Sequence, residues 1–450
     1  MSVSRARGQV LGVLGTLGIA TGALAPEARA IPSFARQTKM PCSVCHTQFP
    51  ELTEFGRMFK LNGYTLSAIE KIEATDSAGR QELSLNLMPI VSIMAQASLT
   101  ELQKRMDGAP NGNVLLPDQL SVFLAGAITP KIGAFVQLTY DAQSGSMHLD
   151  NTSLRFATPG TLFAQPTTFG LSLNNNPTLQ DLWNSTPAWG FPYVGSSVAP
   201  SPAGYTLIDG TLAQEVAGLS GYLYWNNSVY AEVGGYRSSP VGTAQPFDSM
   251  ASGIIEGVAP YWRLAFTKAF GDNYLEVGTY GMHANRQPGS FVPGGATDTY
   301  TDLALDFEYM RPFGHDELTV TGTWIHETRS MDASVAAGVA SVTSQSVNVF
   351  RVRGTYHVGQ QWALSAMPFY TTGTTDPTLY PVGAVSGSLA GSPNTSGLLA
   401  EVDYNPWQNT RIALQYTAYG QFNGRMNNYD GGGRNASDNN TLYLVTWLMF

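Results

Sequence analysis

From about residue 82 to residue 450 the chain is written in short segments that alternate apolar and polar residues with a period of two. That period places successive side chains on opposite faces of a β-strand. In 302–311, Leu303, Leu305, Phe307 and Tyr309 alternate with Asp302, Ala304, Asp306 and Glu308. In 349–356, Phe350, Val352, Gly354 and Tyr356 are set against Val349, Arg351, Arg353 and Thr355, and in 411–418, Ile412, Leu414, Tyr416 and Ala418 against Arg411, Ala413, Gln415 and Thr417. Segment 132–140 repeats the pattern with Ile132, Ala134, Val136, Leu138 and Tyr140 on one face. A long run of such strands must either bury one face in a sandwich or turn it to lipid in a closed barrel.

The connectors favour the barrel. Short ones fall near Thr129-Pro130, Thr158-Pro159-Gly160, Asn226-Asn227, Phe270-Gly271-Asp272, Gly314-His315, Val358-Gly359 and Pro406-Trp407. Between them lie long Gly/Pro/Asn/Ser-rich loops at about 100–116, 174–210, 237–256, 285–298, 330–342, 372–394 and 421–437; only 141–146 is short where a long one is due. A sandwich does not explain this short/long alternation. The count gives about sixteen antiparallel strands, an even number with both ends on the periplasmic side. The last, Leu442–Phe450, is aromatic-rich. The expected fold class is all-β: an outer-membrane β-barrel preceded by a small helical module. Asp306, Glu308, Arg351 and Arg353 would face the lumen, since on lipid a mid-membrane Arg costs ~2–4 kcal/mol.

Composition agrees. Charged residues are 13% and hydrophobic ones 43%, and no stretch beyond the N-terminus approaches the ~18 continuous apolar residues of a membrane helix. The first thirty residues read as a signal peptide. Arg5 and Arg7 precede an apolar run, Val10–Ala25, and Ala28-Arg29-Ala30 fits a cleavage site before Ile31. The whole chain holds 24 basic and 33 acidic residues; without Arg5, Arg7, Arg29 and Glu27 its formal charge is -11. Such a chain is a poor nucleic-acid binder and tolerates cations.

Between signal and barrel, residues 31–80 carry Cys42-Ser43-Val44-Cys45-His46, which holds both cysteines of the chain. C-x-x-C-H reads as a c-type haem attachment site: two thiols tether the porphyrin and His46 supplies an axial ligand to the iron. A redox CxxC would want a thioredoxin-like context, and a zinc site would want a fourth ligand. Downstream, Pro50 suits a first helical position, Glu51 and Glu54 a first turn, Lys60 a last turn and Asn62-Gly63 a stop. Leu52, Phe55 and Phe59 share one face, which would pack on porphyrin or on protein core. Met58 is the candidate second axial ligand; Met40 is too close in sequence to swing to the far side of the ring, and Met88, Met94 and Met106 come later. About fifty residues cannot bury enough surface to fold unaided, so the module is expected to lean on haem and barrel wall.

The run Phe34-Ala35-Arg36-Gln37-Thr38-Lys39-Met40-Pro41-Cys42-Ser43-Val44-Cys45-His46, continuing through Phe49-Pro50-Glu51-Leu52, Phe55-Gly56-Arg57, Phe59-Lys60 and Asn62-Gly63-Tyr64, resembles the fused outer-membrane cytochrome–porins of iron-oxidising bacteria. Asn174-Asn175-Asn176-Pro177-Thr178 and Thr186-Pro187-Ala188-Trp189-Gly190-Phe191-Pro192-Tyr193 look like a second segment of that family, while Lys39 stands where relatives are expected to have Gly. The resemblance implies one haem c in a module that plugs or lines the barrel. It also implies electron transfer from an extracellular donor, Fe(II) or another reductant, to a periplasmic cytochrome or similar acceptor. The alternative is a diffusion porin whose haem module is a plug or gate; a haem enzyme such as a peroxidase ranks last. Loop aspartates, Asp181, Asp248, Asp298, Asp332, Asp376 and Asp430, are candidates to dwell near cations. Porins often form homo-oligomers, which this chain is free to do.

Overall fold

The computed structural model describes residues 31–450 apart from 68, 80, 143–144, 239–254 and 290–293. Residues 1–30, read as a signal peptide, and Asp248 lie outside the described residues. Sixteen long antiparallel strands form one sheet, each hydrogen-bonded to its sequence neighbours, and Ile255–Glu256 prolongs one of them. The last strand, Thr441–Met449, pairs with the first, Val91–Leu102, from Thr441↔Leu102 to Met449↔Met94. The sheet is therefore a closed barrel with no free edge.

Period-two patterning decides which face is which. Leu303 and Leu305 are 48% and 52% exposed on the outside, whereas Asp302, Asp306 and Glu308 are buried within. Outward positions of the strand Trp362–Gly373 run from Trp362 through Leu364, Ala366 and Pro368 to Tyr370, aromatic to aromatic. Exposed Phe270, Phe313, Trp362 and Phe450 all sit beside the short connectors or the C-terminus. Such a ring of aromatics marks a membrane interface. Strands of 9–17 residues meet the ~9–11 that a tilted strand needs to cross. A closed sheet with an apolar exterior and a polar interior is a transmembrane barrel of the bacterial outer membrane. The short connectors and both barrel termini face the periplasm.

Two connectors differ from the sequence reading. Thr158-Pro159-Gly160 lies inside the strand Ser146–Leu162, and the turn is at Phe163-Ala164, where both residues have positive φ. Pro406-Trp407 ends a strand, with the turn at Gln408-Asn409. Pro406 sits at a strand end, where the ladder tolerates its missing N–H, whereas Pro159 is paired with Thr168 three positions before its strand ends. The barrel also starts later than residue 82: Lys71–Thr75 and Gln81–Asn86 form a separate two-stranded hairpin.

Three helices precede that hairpin: α1 (Pro32–Thr38), α2 (Cys42–Cys45) and α3 (Glu54–Leu61). They lie within the periplasmic half of the barrel. Ser33 N donates to Ser92 Oγ at 2.8 Å and Gln37 Nε2 to Ala125 O at 2.8 Å, anchoring α1 to the wall. Helix α3 starts four residues later than Pro50, because Thr53 is the cap: its hydroxyl accepts from Gly56 N at 3.1 Å. The same hydroxyl donates to Val44 O at 2.6 Å, clipping α3 to α2. The Asn62-Gly63 stop is as expected, with Gly63 at φ 72°.

Candidate functional site

Cys42 and Cys45 open and close the single turn of α2, so both thiols belong to one helical face. Burial pushes the Cys45 thiol up to about 11. Redox-active CxxC pairs need the opposite shift, so disulfide exchange is a poor use for this pair. His46 follows in extended conformation. Its Nδ1 lies 3.1 Å from Glu51 O. A carbonyl only accepts, so Nδ1 carries the proton and Nε2 is left with its lone pair. Burial lowers the imidazole to about 4, against weaker opposing effects of the Glu51 and Pro50 carbonyls. His46 is therefore neutral at physiological pH and fit to bind a metal.

His46 borders a cavity of about 370 Å³ inside the barrel. One part of its wall is aromatic. Phe34 meets Phe59 edge-on at 5.2 Å and stacks on Tyr64 at 5.4 Å, while Phe49 lies 5.0 Å from the His46 ring and 5.6 Å from Trp447. Leu52 and Phe59 of the sequence-predicted face line it, and Phe55 packs in the same cluster. Another part is polar, with Gln96, Gln119, Gln137, Asp150 and Asn151. An aromatic wall beside a neutral histidine and Cys45, with Cys42 on the same helical turn but bordering a smaller neighbouring cavity, fits a covalently attached porphyrin: Cys42 and Cys45 would tether it, and His46 would coordinate its iron. Met58 does not border the cavity. It packs instead on the cluster of Leu182, Trp183 and Tyr222. The methionines that line the cavity are Met40 and Met94.

The module is held by charge pairs that sequence reasoning missed. Glu51, expected in a helical first turn, is buried and pairs with Arg353 of the wall. Tyr193 OH donates at 2.7 Å to the same oxygen, Oε1, and His357 Nε2 lies 3.2 Å from the other, Oε2. Burial would raise the Glu51 carboxyl, but Arg353 and His357 hold it well below the usual carboxylate range. Arg57 pairs with Glu308 at 2.8 Å and Arg351 with Asp209 at 2.5 Å. Arg263 pairs with Asp306 at 2.7 Å and lies 3.3 Å from both Glu276 and Asp181. Asp306, Glu308, Arg351 and Arg353, the inward charges named from the sequence, are thus each paired. The signal available in sequence was only their inward register.

The connector after Asn174 folds into the lumen instead of projecting outward. Leu52 N donates to Asn184 Oδ1 at 3.2 Å, and the Trp189 ring lies 4.5 Å from Lys60 Nζ. The two segments that carry the family resemblance therefore pack on each other. Asp181, expected in an outer loop as a candidate to dwell near cations, is instead buried in the lumen beside Arg263. Asp298, Asp376 and Asp430 are also buried: Asp298 accepts from Ser334 and Asp376 from Ser341, both in the connector after Ser330, and Asp430 accepts from Gly432 of its own loop. Of the described loop aspartates named above, Asp332 alone is exposed.

No family model matches the chain, and no curated protein matches it. Among solved structures it is similar to an anion-selective porin from Comamonas acidovorans, with TM-score 0.45, 12% identity, and 80% of this chain and 98% of that one covered. It is similar to OmpT, an outer membrane protein of Vibrio cholerae, with TM-score 0.43, 13% identity and coverage of 81% and 97%. The outer membrane channel DcaP of Acinetobacter baumannii gives TM-score 0.44, 9% identity and coverage of 80% and 96%. At such scores the porin-like architecture rests on the sheet itself.

Proposed function

We propose that this porin-like barrel is an electron conduit, in which a c-type haem on Cys42, Cys45 and His46 takes electrons from an extracellular donor and yields them to a periplasmic acceptor. The observation that carries the reading is His46, neutral and with Nε2 unclaimed, beside an aromatic cavity enclosed by the barrel. A bound haem would supply a one-electron couple in an otherwise insulating wall. The chain's part is mechanical and electrostatic. Glu51 O fixes the imidazole ring and its tautomer. Phe34, Phe49 and Trp447 exclude water from the porphyrin site. The Glu51–Arg353 and Arg57–Glu308 pairs fix the module against the wall, so that charge crosses while solutes need not. Fe(II) is the favoured donor through the family resemblance, and Asp150 and Asn151 give the cavity a cation-tolerant polar wall.

The second reading is a diffusion porin gated by the module. Its support is that sixteen strands enclose enough width for an aqueous lumen and that side-chain bonds, not strand pairing, hold the module in place. One preparation separates the two. Oxidised purified protein is mixed with Fe(II) while the haem absorption bands are followed, and ion current is recorded across a planar bilayer. Haem reduction with little current supports the conduit. Current with a haem that Fe(II) never reduces supports the porin, and a purified chain with no covalent haem ends the conduit reading.

A further inference from the structure

Lys60 is buried deep in the lumen and borders the cavity. Its Nζ donates to Asp181 O at 2.5 Å and lies over the Trp189 ring. Among the described residues no carboxylate stands within ion-pair distance of it. The nearby candidates are occupied: the Asp181 carboxylate accepts from Trp183 N and Ser185 N and faces Arg263, and Glu232 accepts from Ser220, Tyr230 and Gln180. A second buried cation stands directly behind. Arg155 donates from Nη1 to Lys60 O at 3.3 Å, its guanidinium lies 5.6 Å from the Tyr64 ring, and its Nη2 has no partner. Arg155 too has no carboxylate within ion-pair distance among the described residues.

Two adjacent buried cations without a paired anion are costly, because the low-dielectric interior penalises an uncompensated charge by several kcal/mol. A fold keeps such a pair where something anionic is to arrive. Lys60 borders the cavity together with its two contacts, Asp181 and Trp189, so an occupant of the cavity can meet it there. The arriving group must also be compatible with the aromatic rings that share the wall.

We propose that Lys60, backed by Arg155, is the subsite for a carboxylate carried by a flat apolar occupant of the cavity. On the conduit reading, on which this identification of the occupant rests, that carboxylate is a propionate of the haem. Lys60 is then a positioning residue that also offsets the negative charge of the propionate and so favours the reduced iron.

The test uses the haem-loaded protein. Lys60→Gln should shift the ratio of reduced to oxidised haem about tenfold toward the oxidised form at fixed ambient potential, which is ~59 mV for a one-electron couple. Lys60→Arg should hold the wild-type ratio, and propionate bending bands in the resonance Raman spectrum should move in Lys60→Gln alone. A lysine that merely ties α3 to Asp181 O would lower stability but leave potential and bands unchanged, and that result overturns the proposal. Should the purified chain carry no haem, the conduit reading falls, and the subsite is tested with metal-free protoporphyrin IX against its dimethyl ester. The diacid should then bind about tenfold more tightly, with the preference lost in Lys60→Gln; equal binding of acid and ester overturns the proposal.

Discussion

Lys39 shows how a single residue departs from its surroundings. It caps α1 at φ 58°, in the left-handed region where glycine is favoured and where the resemblance leads one to expect glycine. A side chain there costs ~1 kcal/mol or more, and its ion pair with Glu70 is too exposed to offset that. Lys39→Gly should raise the unfolding free energy by ~1 kcal/mol, read from urea titration of the lipid-reconstituted chain. His46 sets a second expectation. Free imidazole titrates near 6.5, whereas burial lowers His46 to about 4. The proton therefore favours the unfolded module. The stability contributed by the neutral ring is complete above pH ~6.5 and is lost as pH falls from there towards 4. Ring nitrogen shifts of a haem-free Cys42→Ser/Cys45→Ser chain should report a neutral His46 at pH 5.5; a charged ring there would refute the burial argument. Glu51 and Arg353 form a third case. Removing one partner strands the other, so Arg353→Met should loosen the module by ~3–5 kcal/mol, and Glu51→Gln/Arg353→Met should recover part of that. Amide exchange of α3 is the readout. Equal protection in Arg353→Met and wild type would show that the pair does not hold the module.

At the scale of elements, the helices of the module touch through glycine. A Cβ on Gly56 would stand 2.1 Å from Cys45 O, and one on Gly133 would stand 2.1 Å from Gly63 O. The first closes α3 onto α2 and the second lets the turn after α3 meet the barrel wall. Gly56→Ala should force these helices apart at a cost of ~1–3 kcal/mol and lower the yield of covalently attached haem, measured by pyridine haemochrome per chain. Unchanged yield would mean that the helix contact does not shape the attachment site. Strands were legible residue by residue because Leu303, Asp306 and their neighbours announce their faces through a local period. The start of α3 was less so: Pro50 and Glu51 suit a helix start on local grounds, but Thr53 wins by also bonding Val44 O. Turn positions suffered where proline, as in Thr158-Pro159-Gly160, is compatible with either a turn or a strand near its end.

At the scale of the molecule, a barrel wide enough for water is filled by two stretches of its own chain, the N-terminal module and the connector after Asn174. Deleting residues 31–66 should convert a poorly conducting barrel into one that passes ions, recorded as single-channel current in planar bilayers; an equally low current would show that the inward connector alone blocks the lumen. Asp150 belongs to this scale as well, because it brings a strand near the extracellular rim to the same cavity that His46 reaches from the periplasmic side. Where Fe(II) is the donor, Asp150→Asn should raise the Fe(II) concentration for half-maximal haem reduction several-fold and leave reduction by dithionite unchanged. The substitution keeps the Oδ1 acceptor for Gln214 and the Asn151 amide and replaces only the oxygen that accepts from the Thr139 hydroxyl, which can accept in turn; misfolding would appear in both assays.

Local chemistry in the sequence determined the closed β-barrel, its short and long ends, its lipid face and the C-x-x-C-H pentapeptide, because period, turn residues and motif spacing act over a few residues. Tertiary structure alone decided what fills the lumen and which charges meet. Arg57 and Glu308 are 251 residues apart, Lys60 finds its carbonyl on a connector that folds inward, and Met58 is turned towards Trp183 rather than the cavity. Inward register says that a charge must be satisfied, but only the packing of distant segments into one low-dielectric space chooses its partner.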